Sequence, residues 1–241
     1  MFDLSKVKGI IFDYGGTIDS NGTHWSEVLW NAYRKSEVPV TKEEFREAYV
    51  YGERYLATHP VIKPEHNFLD LLKIKADIQI NYLIDNNFFK QNDKSDGYSL
   101  AISNQCYTFV RDILTEERII LEKLREVYPM VLVSNFYGNI HSVLDDFNLT
   151  CYFDDIIESA VVGIRKPDPA IFALGVKKLN LPAENTVVIG DSYSKDIVPA
   201  SKNGCQTIWL QGPGWGDDDE NATADLIITD FMELKAAFQI D

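Results

Sequence analysis

Two kinds of hydrophobic patterning divide this chain. Near the N-terminus a short apolar run, residues 7–13, reads as a strand buried on both faces, because it is continuous rather than alternating. From residue 21 to about 113 the apolar positions instead recur every three or four residues. They fall at Trp25, Val28, Leu29, Ala32 and Tyr33, then at Phe45, Ala48, Tyr49 and Tyr55, then at Phe68, Leu71, Leu72 and Ile74. That spacing lines one face of a helix. Thr41, followed three residues on by Glu44, predicts a capping box, and Pro64 predicts a second helix start. The polar stretch 92–97 predicts a loop, and no strand pattern interrupts the block.

Beyond residue 113 the pattern alternates between strand and helix. The spacing predicts a helix over 115–128 with Thr115 as its cap, a strand over 130–134, a helix over 140–147 and a short strand at 156–157. There follow a helix over 168–179 with Pro169 near its start, a strand over 186–190, and a helix over 195–203 that stops at Gly204. Strands at 207–210 and 225–229 and a helix near 231–238 complete the pattern. Continuous apolar strands alternating with helices predict an α/β fold, a doubly wound parallel sheet of Rossmann-like type covered on both faces. The helical block then becomes an all-helical insertion. The expected division is a core of residues 1–19 and 110–241 and a helical insertion of residues 20–109. The acidic run 217–220 predicts a solvated loop.

Charge narrows the partners. The net charge is −14, which repels phosphodiester backbones and argues against nucleic acid. It also opposes anionic ligands in general, so a phosphate site would need a local cation or aligned N–H groups. The three cysteines, Cys106, Cys151 and Cys205, are scattered and predict neither a disulfide framework nor a zinc site. No basic-then-apolar leader opens the sequence, and no apolar run approaches the ~18 residues that span a bilayer. The expectation is a reduced, cytoplasmic setting without a membrane partner.

Candidate chemistry gathers where strands end, which is where open α/β sheets hold their ligands. Asp13 follows the first strand, within Asp-Tyr-Gly-Gly-Thr. Ser134 and Asn135 follow the second; a hydroxyl and an amide there could hold a phosphoryl oxygen, or simply form a turn. Lys166, beside the competing Arg165, is turned away from helix by Pro167. Asp191 and Asp196 straddle a strand-to-helix turn; such oxygen donors suit Mg²⁺, although a capping turn uses the same residues.

Taken in order, these four segments resemble the motif set of the haloacid dehalogenase superfamily, over roughly residues 1–20 and 110–241. The resemblance implies a hydrolase of a small phosphorylated metabolite with a helical cap between the first two motifs. It assigns Asp13 as a nucleophile that forms an aspartyl-phosphate. Ser134 and Asn135 would bind the phosphoryl group, and Lys166 would bridge Asp13 and the phosphate. Mg²⁺ would be held by Asp13, the carbonyl of Gly15 and Asp191, with Asp196 in support.

One position departs from that pattern. The family's phosphatases carry an acid–base Asp where this chain has Gly15. The departure leaves three outcomes open: substrates whose leaving groups need no acid, a substitute such as Asp19, Asp3, His24 or a cap residue, or a binding protein that has lost turnover. Phosphonatases have a small residue at this position and use a cap lysine as a Schiff base, so Lys35, Lys42, Lys63, Lys73 and Lys75 enter as candidates. The 2-haloacid dehalogenases work without Mg²⁺, and the Asp191/Asp196 pair speaks against them. The cap aromatics Trp25, Trp30, Tyr33, Tyr49, Tyr51 and Tyr55 read as helix packing, and the loop carrying Trp209 and Trp215 receives no chemistry.

Overall fold

Strand β1 (Gly9–Phe12) lies inside a fully parallel sheet, flanked on one side by β2 (Met130–Ser134) and β3 (Asp155–Glu158). On its other side come β4 (Thr186–Gly190), β5 (Gln206–Leu210) and β6 (Leu226–Ile228), giving the order β3-β2-β1-β4-β5-β6. The computed structural model describes residues 1–92, 95–213 and 222–240, so the acidic run 217–220 and Trp215 lie outside the described residues. The chain leaves β1 toward β2 and later returns to β4 on the opposite side. The crevice beyond the carboxyl ends of β1 and β4 is therefore the switch point at which such sheets bind ligands.

Continuous burial explains the parallel pairing. Every residue of β1, β2 and β4 is buried, and no polar face is left for solvent. Phe12 pairs with Leu132 on one side and Ile189 on the other. Asp13, Ser134 and Asp191 are thus carried to the same edge. Two apolar clusters cover the two faces: Ile11, Val133, Phe172 and Val188 on one, and Ile10, Phe12, Leu132 and Ile189 on the other.

Helices α1 (Trp25–Lys35), α2 (Lys42–Thr58), α3 (Phe68–Asp85) and α4 (Tyr98–Val127) form the block inserted after β1. Later helices alternate with strands: α5 (Ile140–Asp146), α6 (Ser159–Val162), α7 (Ala170–Leu179), α8 (Val198–Lys202) and α9 (Leu234–Phe238). The capping box at Thr41 and Glu44 forms as predicted, opening α2. Pro64 does not open a helix. Asn67 does so instead, because its side chain and that of Asp70 cap each other's backbone N–H groups.

Thr115 caps nothing. It lies inside α4 and its hydroxyl donates to the Arg111 carbonyl at 2.9 Å, the back-bond available to a mid-helix threonine. The apolar stripe Ile102, Cys106, Val110, Leu114 and Leu121 carries the helix through without a stop. Consequently α4 is continuous across residue 110, packing on α1 and α3 at one end and on α9 at the other. Phe68 adds a second link between the block and the sheet, with edge contacts to Trp25, Tyr14 and Phe147 at 5.6, 6.4 and 5.4 Å between ring centroids. Among the described residues, no helix is long and apolar enough to cross a membrane.

Candidate active site

The turn after β1 has almost no freedom in its backbone. Asp13 donates its N–H to the Ile189 carbonyl at 3.0 Å, which extends the sheet register one residue beyond the strand. Gly16 follows at φ +97°, where side chains are strained, and a Cβ there would fall inside the Asp191 carboxyl. Glycine at this position lets the β4 loop close onto the β1 loop. Thr17 then donates its hydroxyl to Asp191 Oδ1 at 3.0 Å, and Trp209 Nε1–H donates to the Asp191 carbonyl at 2.8 Å. Gly190 serves similarly, since a Cβ on it would lie 2.5 Å from Asp196 Cβ.

Lys166 is the centre of the charge network. Its Nζ lies 2.6 Å from Asp13 Oδ1 and 2.7 Å from Asp196 Oδ1, and all three side chains are buried. Asn135 makes this possible. Its Oδ1 accepts the Lys166 N–H at 2.9 Å, while its Nδ2 donates to the Lys166 carbonyl at 3.1 Å, clamping the loop that carries the lysine onto the end of β2. Asn135 also lines the cleft, as do Ser134 and Arg165, but the ammonium against Asp13 belongs to Lys166.

Three carboxylates crowd around this one ammonium, two of them buried and paired with it and the third, Asp191, half-buried. Asp13, Asp191 and Asp196 each offer an oxygen, and these oxygens lie within 4.8 Å of one another. Burial, reinforced by the charges of Asp13 and Asp196, pushes the Asp191 carboxyl well above the usual range. Burial also pushes Asp196 up, to about 6, against the opposing pull of Lys166. Lys166 itself is held charged, because its two carboxylate partners outweigh its own burial.

A hard divalent cation suits this set. The donors are all oxygen, they carry an excess of negative charge, and repulsion between them opposes their full ionisation. Asp196 already accepts from Lys166 with one oxygen and from the Ser192 N–H, at 3.1 Å, with the other. Asp13 and Asp191 remain as the carboxylates with capacity for a metal.

The gap left by Gly15 has one carboxyl beside it. A Cβ built at Gly15 would meet only Asp19 Oδ2, at 4.0 Å. Asp19 is 1% exposed, accepts the Gly16 N–H at 2.7 Å and the Trp25 Nε1–H at 2.9 Å, and lines the same cleft as Asp13. Burial raises its carboxyl to about 7, despite those two donors. Of the other substitutes considered from sequence, His24 lines the cleft while its Nδ1 accepts the Ser26 N–H and caps α1. Asp3 caps the turn Leu4–Lys6 and is not part of the cleft.

The cleft encloses about 320 Å³ between the sheet edge and the helical block. Its cap wall includes Trp25 and Tyr49, which the helical spacing assigned to packing alone. Trp30 and Tyr33 do pack on Phe45, at 5.4 and 4.8 Å, and Tyr51 stacks on Tyr82 at 4.5 Å. Glu53 and Tyr137 are cleft residues that the sequence does not single out, and Trp209, whose loop receives no chemistry from sequence, lines the cleft too. Each occurs in a segment whose pattern signals only a helix face, a turn or a strand. Lys75, which the sequence does not distinguish from the other cap lysines, also lines the cleft.

The sequence profile of the haloacid dehalogenase-like hydrolase family matches residues 7–204, and the chain belongs to that family. It is 36% identical to a glyceraldehyde 3-phosphate phosphatase of Methanocaldococcus jannaschii over 34% of this chain and 36% of that protein. It is 26% identical to a phosphoglycolate phosphatase of Vibrio cholerae over 96% of each chain. Among the glyceraldehyde 3-phosphate phosphatases it matches, the chain spans only 36%, 58% and 48% of three of them. The crystal structure of the HAD-hydrolase YfnB from Bacillus subtilis, bound to magnesium, is similar in fold. Its TM-score is 0.58 at 16% identity, covering 97% of this chain and 99% of that one.

Proposed function

We propose that this protein is a Mg²⁺-dependent phosphatase of a small phosphorylated metabolite, working through an aspartyl-phosphate on Asp13. The observation that carries the reading is the Lys166 ammonium bridging Asp13 and Asp196 inside a cleft that also holds Asp191 and Ser134. The phosphatase names of the Methanocaldococcus and Vibrio relatives, and the magnesium bound by the Bacillus neighbour, agree with it.

Asp13, Asp191 and the carbonyl of Gly15 would hold Mg²⁺, which when bound neutralises charge on the phosphoryl group and its nucleophile. The chain's own residues do the rest. The Asp13 carboxylate attacks phosphorus, the P–O bond to the leaving group breaks, and the phosphoryl is carried on Asp13 until water releases it. Lys166 binds phosphoryl oxygen and screens Asp13, and the Ser134 hydroxyl holds another oxygen. Asn135 and Asp196 are positioning residues, the first through the Lys166 backbone and the second through its ammonium. Asp19 gives the leaving oxygen its proton and then draws one from the attacking water, the task that Gly15 cannot perform. Residues of the helical block and of the sheet edge together line this cleft.

A Schiff-base phosphonatase fits less well. Lys75 is the cap lysine lining the cleft, but Glu53 holds its amine protonated at 2.6 Å, and Schiff-base chemistry needs the free amine. The test is hydrolysis of p-nitrophenyl phosphate. It should require added Mg²⁺ and vanish in Asp13→Asn. No turnover across a broad panel of phosphate monoesters would refute the reading.

A further inference from the structure

The cleft has two ends of different character. Its core end holds Asp13, Ser134 and Lys166, assigned above to the phosphoryl group. Its cap end is closed by a cluster which that chemistry leaves unused. Lys75 on α3 reaches Glu53 on α2, Nζ to Oε1 at 2.6 Å. The second carboxylate oxygen accepts the Tyr137 hydroxyl at 3.0 Å, and the Lys75 ammonium lies 5.5 Å from the centre of the Tyr137 ring. Tyr137 stands three residues after Ser134, so one short loop carries both the phosphoryl-binding hydroxyl and the phenol that fixes the cap carboxylate.

The members of this cluster differ in exposure. The Lys75 side chain is 8% exposed, whereas that of Glu53 is 34% exposed and faces the cleft. Glu53 Oε1 is buried against the lysine, so Oε2, which accepts from Tyr137, is the oxygen left for a ligand. Burial opposes ionisation of both groups, yet each overcomes it through the other: Glu53 lies below the usual carboxylate range and Lys75 well above the usual amine. Helix packing alone does not require such a cluster, since apolar residues of similar volume often serve as well or better.

We propose that Glu53, fixed by Lys75 and Tyr137, is the specificity determinant at the cap end of the cleft. It accepts hydrogen bonds from hydroxyls at the end of the substrate remote from the phosphate and rejects a carboxylate there. This rests on the phosphatase reading and extends it to a substrate class, small phosphorylated polyols and sugars. An ionised carboxylate only accepts, so its ligand must donate. A distal carboxylate brings no proton to share, so two acceptors would face each other unpaired in a partly desolvated site. A distal ammonium gains little, because Lys75 already neutralises Glu53. A volume of about 320 Å³ lies at the small end of ligand pockets, which favours compact substrates.

Matched phosphates test this directly. Glycerol 3-phosphate and 3-phosphoglycerate differ only in a terminal CH₂OH against a carboxylate, and four- and five-carbon homologues of each extend the reach. The protein should prefer the hydroxyl member of a pair by about tenfold or more in kcat/KM. In Glu53→Gln that ratio should collapse toward one, because the amide can donate to a carboxylate. Tyr137→Phe, which leaves the ion pair intact, should lower it in the same direction and carries the test where Glu53→Gln does not fold. If p-nitrophenyl phosphate is hydrolysed but no pair shows the preference, or the preference survives both substitutions, the cap assignment is wrong and the phosphatase reading stands. A preference for phosphoethanolamine over ethylene glycol monophosphate also overturns it. If every phosphate is inert, the phosphatase reading fails. Isothermal titration with the same pairs then decides the subsite: tighter binding of the hydroxyl member, lost in Glu53→Gln, supports it, and equal or reversed affinity overturns it.

Discussion

Asp19 Oδ2 lies 4.0 Å from the point where a side chain on Gly15 would begin. A carboxyl four residues further on thus stands next to the position where the family's acid would be. If Asp19 transfers the proton, its value depends on the leaving group. An alkoxide needs protonation, whereas p-nitrophenolate leaves without it. Asp19→Asn keeps the shape and loses the proton, so kcat on an alkyl phosphate should fall by roughly 10²-fold or more. The loss on p-nitrophenyl phosphate should be several-fold smaller when kcat for both is measured at saturating Mg²⁺. Equal losses on the two substrates would assign Asp19 to holding the turn rather than to chemistry.

The same proximity makes the defect repairable. Asp19 Oδ2, at 4.0 Å, is what a Cβ at Gly15 would meet, so a side chain can begin there without displacing backbone. In the wild-type background it would stand beside a buried carboxyl. In the Asp19→Asn background that repulsion is gone. Gly15→Asp combined with Asp19→Asn should therefore recover a measurable part of the lost alkyl-phosphate turnover, and its interaction energy in a double-mutant cycle should be favourable. Purely additive losses would contradict the exchange of roles.

The strands and the residues at their ends were legible in the sequence because both signals are local. A buried parallel strand is a short continuous apolar run, and Asp13, Ser134, Lys166 and Asp191 each follow such a run or precede a helix with proline near its start. Asp19 was legible as a candidate, but its role was not, since its distance from Gly15 depends on how the turn folds back. Glu53, Lys75 and Tyr137 were illegible as a unit. They come from α2, α3 and the loop after β2, and only tertiary packing brings them together. The start of α4 was misread because a threonine inside a helix and a threonine at its cap are the same letter, and only the hydrogen bond to Arg111 separates them.

Lys166 is the single buried cation facing Asp13 and Asp196 in this cleft among the described residues. Lys166→Met keeps the volume but leaves carboxylates uncompensated, which costs roughly 3–5 kcal/mol for a buried pair. For a chain of this size the midpoint of thermal unfolding should fall by about 6–20 °C in metal-free buffer. Mg²⁺ supplies the missing charge, and the ammonium no longer repels it. Saturating Mg²⁺ should therefore raise Tm more in Lys166→Met than in the wild type, by calorimetry with and without EDTA. A smaller Mg²⁺ shift in the variant would show that Lys166 does not share its carboxylates with a metal.

Glu117 offers a test of stability remote from the reaction. It is 2% exposed on α4, and neither carboxylate oxygen has a hydrogen-bond partner among the described residues. Burial, followed by the charges of Asp19, Asp230 and Glu116, pushes its carboxyl well above the ordinary 4.5. Below that ordinary value the group is protonated in both folded and unfolded chains and stability is unaffected. As pH rises above it, the unfolded chain releases the proton first, so unfolding becomes progressively easier until the folded group also ionises. Glu117→Met removes this linkage and the unpaired polar atoms together. It should stabilise the protein by roughly 1–3 kcal/mol at pH 7. The gain should shrink as pH falls toward 4, where a protonated glutamate no longer carries the penalty. Urea unfolding of both proteins between pH 4 and pH 8 measures it, and a gain that is constant with pH would mean that Glu117 is not buried with its proton.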